Sequence, residues 1–166
     1  MAKITQKITP CLWFNRDAEE AAQLYISVFG DGKINKITRY GKEGFEFHGM
    51  PEGTAMTVDF TLAGQNFLAL NGGPAFTFSE AVSLIIRCSD QDEVDHFWNG
   101  LGPAGGGTES QCGWLKDKFG FSWQVTPTIL NELMSDPDKA KASRVMNAML
   151  QMKKIDIAEL KRAAAG

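Results

Sequence analysis

The chain has 166 residues, of which 22% are charged and 43% are hydrophobic, which is typical of one soluble globular domain with a sizeable core. Its formal net charge of -3, with lysine and arginine scattered along the chain, argues against a basic surface for nucleic acid. No apolar run approaches the roughly 20 residues that span a bilayer, and the N-terminal residues have no apolar signal core. We therefore expect a cytoplasmic protein without nucleic-acid or membrane partners.

The apolar periodicity of the first half predicts a strand, a helix and three more strands. Asp17 and Glu20 form a capping-box pair before the helix, and Gly30 follows its last turn. Residues 41–53 are polar and rich in glycine, so we expect a mobile loop in which His48 is solvated. The five predicted elements lie at 8–14, 18–29, 33–40, 54–62 and 66–71.

The second half repeats this order. Residues 89–93 supply caps for an amphipathic helix, and His96 lies off its apolar stripe, at the expected surface. A glycine-rich connector at 102–107 leads to the next strand. The predicted strands lie at 81–88, at 108–112 and on the two sides of a hairpin at 113–125. Such an internal duplication predicts two half-domains that share one core.

Three helical segments form the tail: a turn at 129–134, a helix that begins near Pro137 and a short helix that begins near Asp156. The middle helix has a methionine-rich apolar stripe, which favours packing, including packing across a subunit interface. Its members are Val145, Met146, Met149 and Leu150.

The hairpin at 113–125 has a tight turn at 118–120, and the residues of its second strand alternate between two faces. The large apolar side chains share one face, and Ser122 and Gln124 share the other. A lone amide among apolar neighbours costs free energy unless it has a hydrogen-bond partner. That partner is another side chain, water or a ligand.

The three cysteines, Cys11, Cys88 and Cys112, are odd in number and have no C-x-x-C spacing. This pattern argues against a disulfide framework or a zinc site and favours buried, inert thiols. A nucleophilic cysteine needs a neighbouring base or cation that lowers its pKa. Neither histidine has a suitable position for Cys11, so we do not expect a catalytic thiol.

A doubled βαβββ unit whose first strand reads Ile8–Phe14 resembles the glyoxalase/bleomycin-resistance/extradiol-dioxygenase superfamily, also called vicinal oxygen chelate. Within it, the chain is similar to the PhnB-like branch, often labelled 3-demethylubiquinone-9 3-methyltransferase-like. The segments that carry this closer resemblance are Leu68–Pro74, Cys112–Gly120, Ser122–Gln124, Val145–Met146 and Met149–Asp156.

The resemblance covers nearly the whole chain and implies an α+β fold with two βαβββ modules, curled mixed sheets and C-terminal helices. It also implies a homodimer. The expected organisation is a single domain at 1–166, with a first module at 4–74, a second module at 79–127 and a helical tail at 128–166.

In metal-dependent members, the resemblance implies a cup with His, Gln or Glu ligands from four strands. Here those positions fall near Thr9, Ala69, Ser83 and Gln124, and Asn71 lies on the same face as Ala69. A divalent ion needs several anionic or imidazole ligands. We therefore expect no metal and no other cofactor.

The methyltransferase label implies a methyl donor, and donors of the adenosyl type are usually bound by a glycine-rich turn between a strand and a helix. The segment at 102–107 follows a helix and precedes a strand, so it is interpreted as a connector.

The polar positions that remain predict a small-molecule pocket with aromatic walls. The predicted pocket residues are Thr9, Cys11, Trp13, Asn71, Ser83, Trp114 and Gln124. The alternative interpretation is that these groups satisfy each other and water in a packed interior. The leading hypothesis is a metal-free small-molecule-binding protein. The alternative is an enzyme, with metal-dependent isomerase or lyase chemistry or the methyl transfer that the label names.

Overall fold

A computed structural model describes residues 6–166, which form two compact units divided between Phe78 and Ser79. The predicted starts of the domain at residue 1 and of the first module at residue 4 lie outside the described residues. The elements are β1 (Cys11–Phe14), α1 (Ala18–Phe29), β2 (Gly32–Arg39), α2 (Phe45–His48), β3 (Ala55–Leu62), β4 (Gln65–Asn71), β5 (Ser83–Cys88), α3 (Gln91–Leu101), a 3-10 turn (Pro103–Gly105), β6 (Thr108–Glu109), β7 (Trp114–Lys116), β8 (Ser122–Pro127), α4 (Thr128–Met134), α5 (Lys139–Met149) and α6 (Ile157–Ala165).

The first unit contains a four-stranded sheet in the order β1-β4-β3-β2. β1 is parallel to β4, and the other neighbours are antiparallel. Helix α1 packs on one face because its apolar stripe, which includes the buried Ala22 and Tyr25, meets the buried Val58 and Phe60 of β3. Gly30 ends α1 in the left-handed conformation that its sequence position predicts.

The second unit repeats this topology with the sheet order β5-β8-β7-β6. The Asp90 side chain caps α3 by accepting from the Glu93 N–H, as predicted. Val94 and Trp98 of α3 are buried, as are Trp123 and Val125 of β8. The predicted α+β fold is therefore confirmed as two βαβββ modules, each with a four-stranded mixed sheet.

Two local predictions in the first unit are wrong. Asp17 makes no capping hydrogen bond to α1; the amide of Asn71, a residue distant in sequence, accepts from the Ala18 N–H instead. The loop at 41–53, predicted to be mobile, contains the short helix α2. His48 in α2 stacks on Tyr40 with ring centroids 4.4 Å apart and accepts a hydrogen bond from the backbone, so it is held rather than solvated.

The tail helices pack around their own apolar cluster in the second unit, formed by Leu130, Val145, Ile155, Leu160 and Ala164. Two backbone hydrogen bonds of 2.7 Å, from Cys112 to Met152 and from Gly113 to Lys153, attach the segment before α6 to the start of the hairpin.

The apolar stripe predicted for α5 is only partly buried, because Met146 is 37% exposed and Leu150 is 51% exposed. None of the helices at residues 6–166 has both the length and the hydropathy of a membrane-spanning segment.

Candidate functional site

The alternation of side chains along β8 gives the second sheet one closed face and one open face. Trp123 and Val125 lie on the closed face, towards the core with α3. Gln124 lies on the open face with its register partners, Ile85 of β5 and Trp114 of β7. Arg87 is two residues beyond Ile85 on the same strand, so it shares this face.

The hairpin that presents Gln124 is fixed by Asp117, a buried residue that is only 3% exposed. Its Oδ1 accepts from the N–H groups of Phe119 (2.9 Å) and Phe121 (3.0 Å), and its Oδ2 accepts from the Trp123 indole N–H (2.8 Å). Sequence analysis missed this residue, although an Asp three residues before the glycine of a tight turn is a recognised signal.

The lone amide of Gln124 has a side-chain partner for one of its two ends. Its Nε2 donates to Ser83 Oγ over 2.9 Å. Its Oε1 has no hydrogen-bond partner among the described residues. The open end of the amide is therefore available to water or a ligand.

Helices α4 and α5 stand beside this open face and turn it into a groove of about 260 Å³, which we call the second-sheet groove. Its aromatic wall is Trp114, whose indole N–H has no acceptor within the described part of the chain. The lining residues are Ile85, Arg87, Cys112, Trp114, Gln124, Thr126, Leu130, Asn131, Met134 and Met149.

A second cavity of about 230 Å³ adjoins the groove, and Trp114 lines both. Lys116 and Glu80 form an ion pair at this end (2.5 Å), and the hydrogen bond from Lys116 lowers the pKa of the Glu80 carboxyl. Ser122 also lines the cavity; its Oγ is buried and has no partner among the residues described. A buried hydroxyl of this kind normally binds water or a ligand.

In the first unit, the predicted aromatic pocket residue Trp13 has a hydrogen-bond acceptor for its indole N–H, unlike Trp114 in the described part of the chain. The Trp13 indole N–H donates to the backbone oxygen of Gly73 (2.9 Å), and its ring contacts Phe76 edge to face with centroids 5.0 Å apart. A Cβ at Gly72 would overlap this ring, so the tryptophan is tightly held. Cys11 shares its face of β1 and is exposed, as is Thr9, which lies just before the strand.

Asn71 does not join Trp13 on this face. The β1–β4 register pairs Asn71 with Phe14, so the amide lies on the side of the sheet that packs on α1. There it is 1% exposed, accepts from the Ala18 N–H and donates to the Ala55 oxygen, both at 2.9 Å. Of the predicted pocket residues, the structure therefore brings together Ser83, Trp114 and Gln124. It places Asn71 in a structural role.

Comparison with known proteins identifies the family. The family model described as 3-demethylubiquinone-9 3-methyltransferase matches residues 6–126. The chain belongs to this family. The match ends within β8, so the tail helices that wall the second-sheet groove lie beyond it.

Two solved structures are similar to this chain, one in sequence and fold and the other in fold alone. A putative 3-demethylubiquinone-9 3-methyltransferase, PhnB protein, from Bacillus cereus is 36% identical, with 74% of this chain and 100% of that chain covered and a TM-score of 0.65. Protein PA1353 from Pseudomonas aeruginosa is 21% identical over 74% of this chain and 98% of that chain, with a TM-score of 0.58, and shows the fold alone. No curated protein matches the chain. With the paired βαβββ topology, these findings confirm the predicted PhnB-like family.

The positions that the resemblance to the superfamily implies as metal ligands do not fit a divalent ion. Ala69 is fully buried and lies on the α1 side of its sheet with Asn71. Ser83 and Gln124 are hydrogen-bonded to each other. Within residues 6–166, no three His, Cys, Asp or Glu side chains come close enough to hold a metal. A hydroxyl and an amide without an anionic partner do not offset the hydration that a divalent cation loses.

The glycine-rich segment of this family member does not offer an open cradle for a methyl donor. It connects α3 to β6 and contains the 3-10 turn, as its sequence position predicts. A Cβ at Gly105 would overlap the carbonyl oxygen of Gly100, and one at Gly107 would overlap that of Lys116. These glycines are therefore required by the close approach of the chain to itself.

The cysteines differ in burial from the prediction. Cys88 is fully buried, and this burial, followed by the charges of Glu93 and Asp90, raises the pKa of its thiol to about 12. Cys11 is exposed as a residue, although partial burial of its thiol raises its pKa, and Cys112 is half-buried. The prediction of buried thiols holds for Cys88 alone.

Proposed function

We propose that this family member binds a small molecule in the second-sheet groove and that binding needs no metal ion. The observation that carries the proposal is the half-satisfied amide of Gln124. Its Nε2 is bound by Ser83, while its Oε1 remains without a protein partner in a residue that lines a partly apolar groove. Apolar walls with a few orienting polar groups are typical of small-molecule sites.

The alternative of a purely structural interior is less well supported for the second unit than for the first. Asn71 in the first unit has partners at both ends of its amide, as a structural polar group should. In the second-sheet groove, Gln124 Oε1 and the Trp114 N–H both lack protein partners in the described residues. Polar groups without a protein partner can hydrogen-bond to water in the free protein and to a ligand in a complex.

A ligand-stabilisation screen tests the proposal. We expect library members that raise the melting temperature of the wild type to lose most of that effect in Gln124→Ala. The matched control is Gln23→Ala, because Gln23 is an exposed amide on α1 of the first unit. Hits that stabilise Gln124→Ala as much as the wild type would show that the assignment of the groove is wrong.

The metal-free part of the proposal has its own test, which also addresses the enzymatic alternative of metal-dependent isomerase or lyase chemistry. Tag-free protein is exposed to Zn²⁺, Ni²⁺, Mn²⁺ and Fe²⁺, dialysed exhaustively and subjected to elemental analysis. We expect no retained ion, because the donor set lacks anionic and imidazole ligands. One tightly held ion per chain would favour a metal enzyme.

We also propose that the protein is a cytoplasmic homodimer. The supporting observation is the exposure of Met146 and Leu150, which are four residues apart and therefore on one side of the chain at the end of α5. We expect light scattering to give the mass of a dimer, and the double variant Met146→Glu/Leu150→Glu to give that of a monomer. A monomeric wild type would contradict the proposal.

A further inference from the structure

We propose that the ligand of the second-sheet groove is an organic carboxylate with an apolar body, and that Arg87 binds the carboxylate. This inference rests on the proposed function of the groove. It identifies a ligand class and a specificity-determining residue that the sequence motifs did not indicate.

Arg87 differs from the other arginines of the second unit. Arg144 donates to the carbonyl oxygens of Ala163 and Ala164, and Arg162 pairs with Glu159. Arg87 has no acceptor among the described residues, although its guanidinium carries five N–H donors. Its donors are therefore free to bind a ligand.

The charge of the groove is positive, because Arg87 is the only charged residue that lines it among the described residues. Four lysines elsewhere in the second unit stand within ion-pair distance of carboxylates: Lys116 with Glu80, Lys141 with Asp136, Lys153 with Glu109 and Lys154 with Asp95. The groove keeps one cation without such a neighbour. A guanidinium fork matches the two oxygens of a carboxylate, so a monoanion of this shape fits both the charge and the geometry.

The remaining lining residues describe the rest of the ligand. Trp114 and Thr126 offer further hydrogen-bond donors, and the β5–β8 register places Thr126 beside Arg87. The apolar residues of the groove are Ile85, Leu130, Met134 and Met149. Ile85 is 53% exposed, which leaves apolar surface for a ligand to cover. A ligand with a carboxylate at the Arg87 end would accept from these donors, and its apolar body would cover the apolar side chains.

A matched series of three compounds tests the inference: phenylacetate, 2-phenylethanol and 2-phenylethylamine have similar apolar bodies and differ in charge. Each is titrated into protein with ¹³C-labelled methionine methyl groups. Met134 and Met149 report on the groove, while Met50 and Met56 of the first unit serve as references. Single Met→Leu variants assign the resonances.

We expect phenylacetate to shift the Met134 and Met149 signals with a Kd about tenfold lower than that of the alcohol, a ratio that corresponds to about 1.4 kcal/mol, and the amine to bind most weakly. Arg87→Gln should abolish the advantage of phenylacetate, and Arg87→Lys should retain part of it. Arg162→Gln, which removes a paired surface arginine, should leave the advantage unchanged.

Two results would overturn the inference in distinguishable ways. If the acid and the alcohol shift the groove signals with equal affinity, or Arg87→Gln retains the preference, the groove binds ligands but does not select an anion. If no compound shifts these signals, the inference is wrong. The proposed function then fails as well only if the ligand-stabilisation screen also yields no Gln124-dependent hit.

Discussion

The two modules share a topology but use their amides in opposite ways. Asn71 and Gln124 lie in β4 and β8, the strands that pair in parallel with the first strand of each module. Asn71 lies on the helix side and has a partner at each end of its amide; Gln124 lies on the open side and has a partner at one end. Because side chains alternate along a strand, a shift of one position decides whether an amide lies on the helix side or on the open side of its sheet.

The tryptophans show the same difference. The Trp13 N–H is bound by the backbone of its own unit, whereas the Trp114 N–H in the second-sheet groove has no acceptor within the described residues. In the second unit, the tail helices also stand beside the open face and wall a groove. One copy of this duplicated fold therefore pairs its site amide and indole within its own unit, whereas the other leaves Gln124 Oε1 and the Trp114 N–H without protein partners in the described residues.

The largest expected effect comes from Asp117, which supports the open face of the second module. Asp117→Ala leaves two backbone N–H groups and the Trp123 indole N–H without this acceptor in a buried turn. We expect a loss of about 4 kcal/mol in the free energy of unfolding, measured by urea denaturation. Asp117→Asn keeps an acceptor for the backbone and should cost about half as much. A loss below about 1 kcal/mol for the alanine variant would contradict this role.

The contrast between the two amides predicts different stabilities for their alanine variants. Asn71→Ala leaves the Ala18 N–H and the Ala55 oxygen unpaired in the core, so it should cost about 3 kcal/mol. Gln124→Ala should cost about 1 kcal/mol or less, since only one half-buried hydrogen bond is lost. Urea unfolding of both variants measures the difference. Equal losses would remove the distinction between a structural amide and a binding amide.

The first strands of the two modules each carry a cysteine, and the two thiols should differ in reactivity. Cys11 in β1 is exposed, whereas Cys88 in β5 is fully buried with a thiol pKa of about 12. At pH 8, we expect iodoacetamide to alkylate Cys88 at least about a hundredfold more slowly than Cys11, because the thiolate is the reactive form. Peptide mass spectrometry measures both rates. In urea the rates should converge, and fast labelling of folded Cys88 would contradict the burial.

The smallest expected effect concerns the attachment of the tail. The hydrogen bond from Lys154 (2.6 Å), followed by that from Gln91, lowers the pKa of the Asp95 carboxyl. Because the pKa is lower in the folded state, the ionised Asp95 carboxylate stabilises the fold at pH values above its unfolded-state pKa. This stabilisation is lost as the pH falls through the folded-state pKa. Because the pair is exposed, Asp95→Asn should cost less than about 1 kcal/mol at pH 7. The difference from wild type should shrink towards zero in acid, and a difference that grows would contradict the sign.

The sequence predicted the duplicated order of elements because apolar periodicity and glycine positions are local properties. It did not place Asn71, because the side of the sheet on which a residue lies relative to the next strand depends on register. The prediction of the α1 cap failed because the acceptor of the Ala18 N–H comes from β4, far along the chain. Arg87 was not predicted, because a single arginine in a strand has no motif and the groove that it lines is formed by residues distant in sequence.

We propose that ligands bind the open face of the second module rather than that of the first. The indole N–H resonances of Trp114 and Trp13 report on these two places in one spectrum, with Trp114→Phe and Trp13→Phe to assign them. During a titration with a fragment library, we expect the compounds that bind to shift the Trp114 signal and to leave the Trp13 signal in place. Compounds that bind and shift the Trp13 signal while the Trp114 signal stays unchanged would show that the ligand site does not lie in the second module.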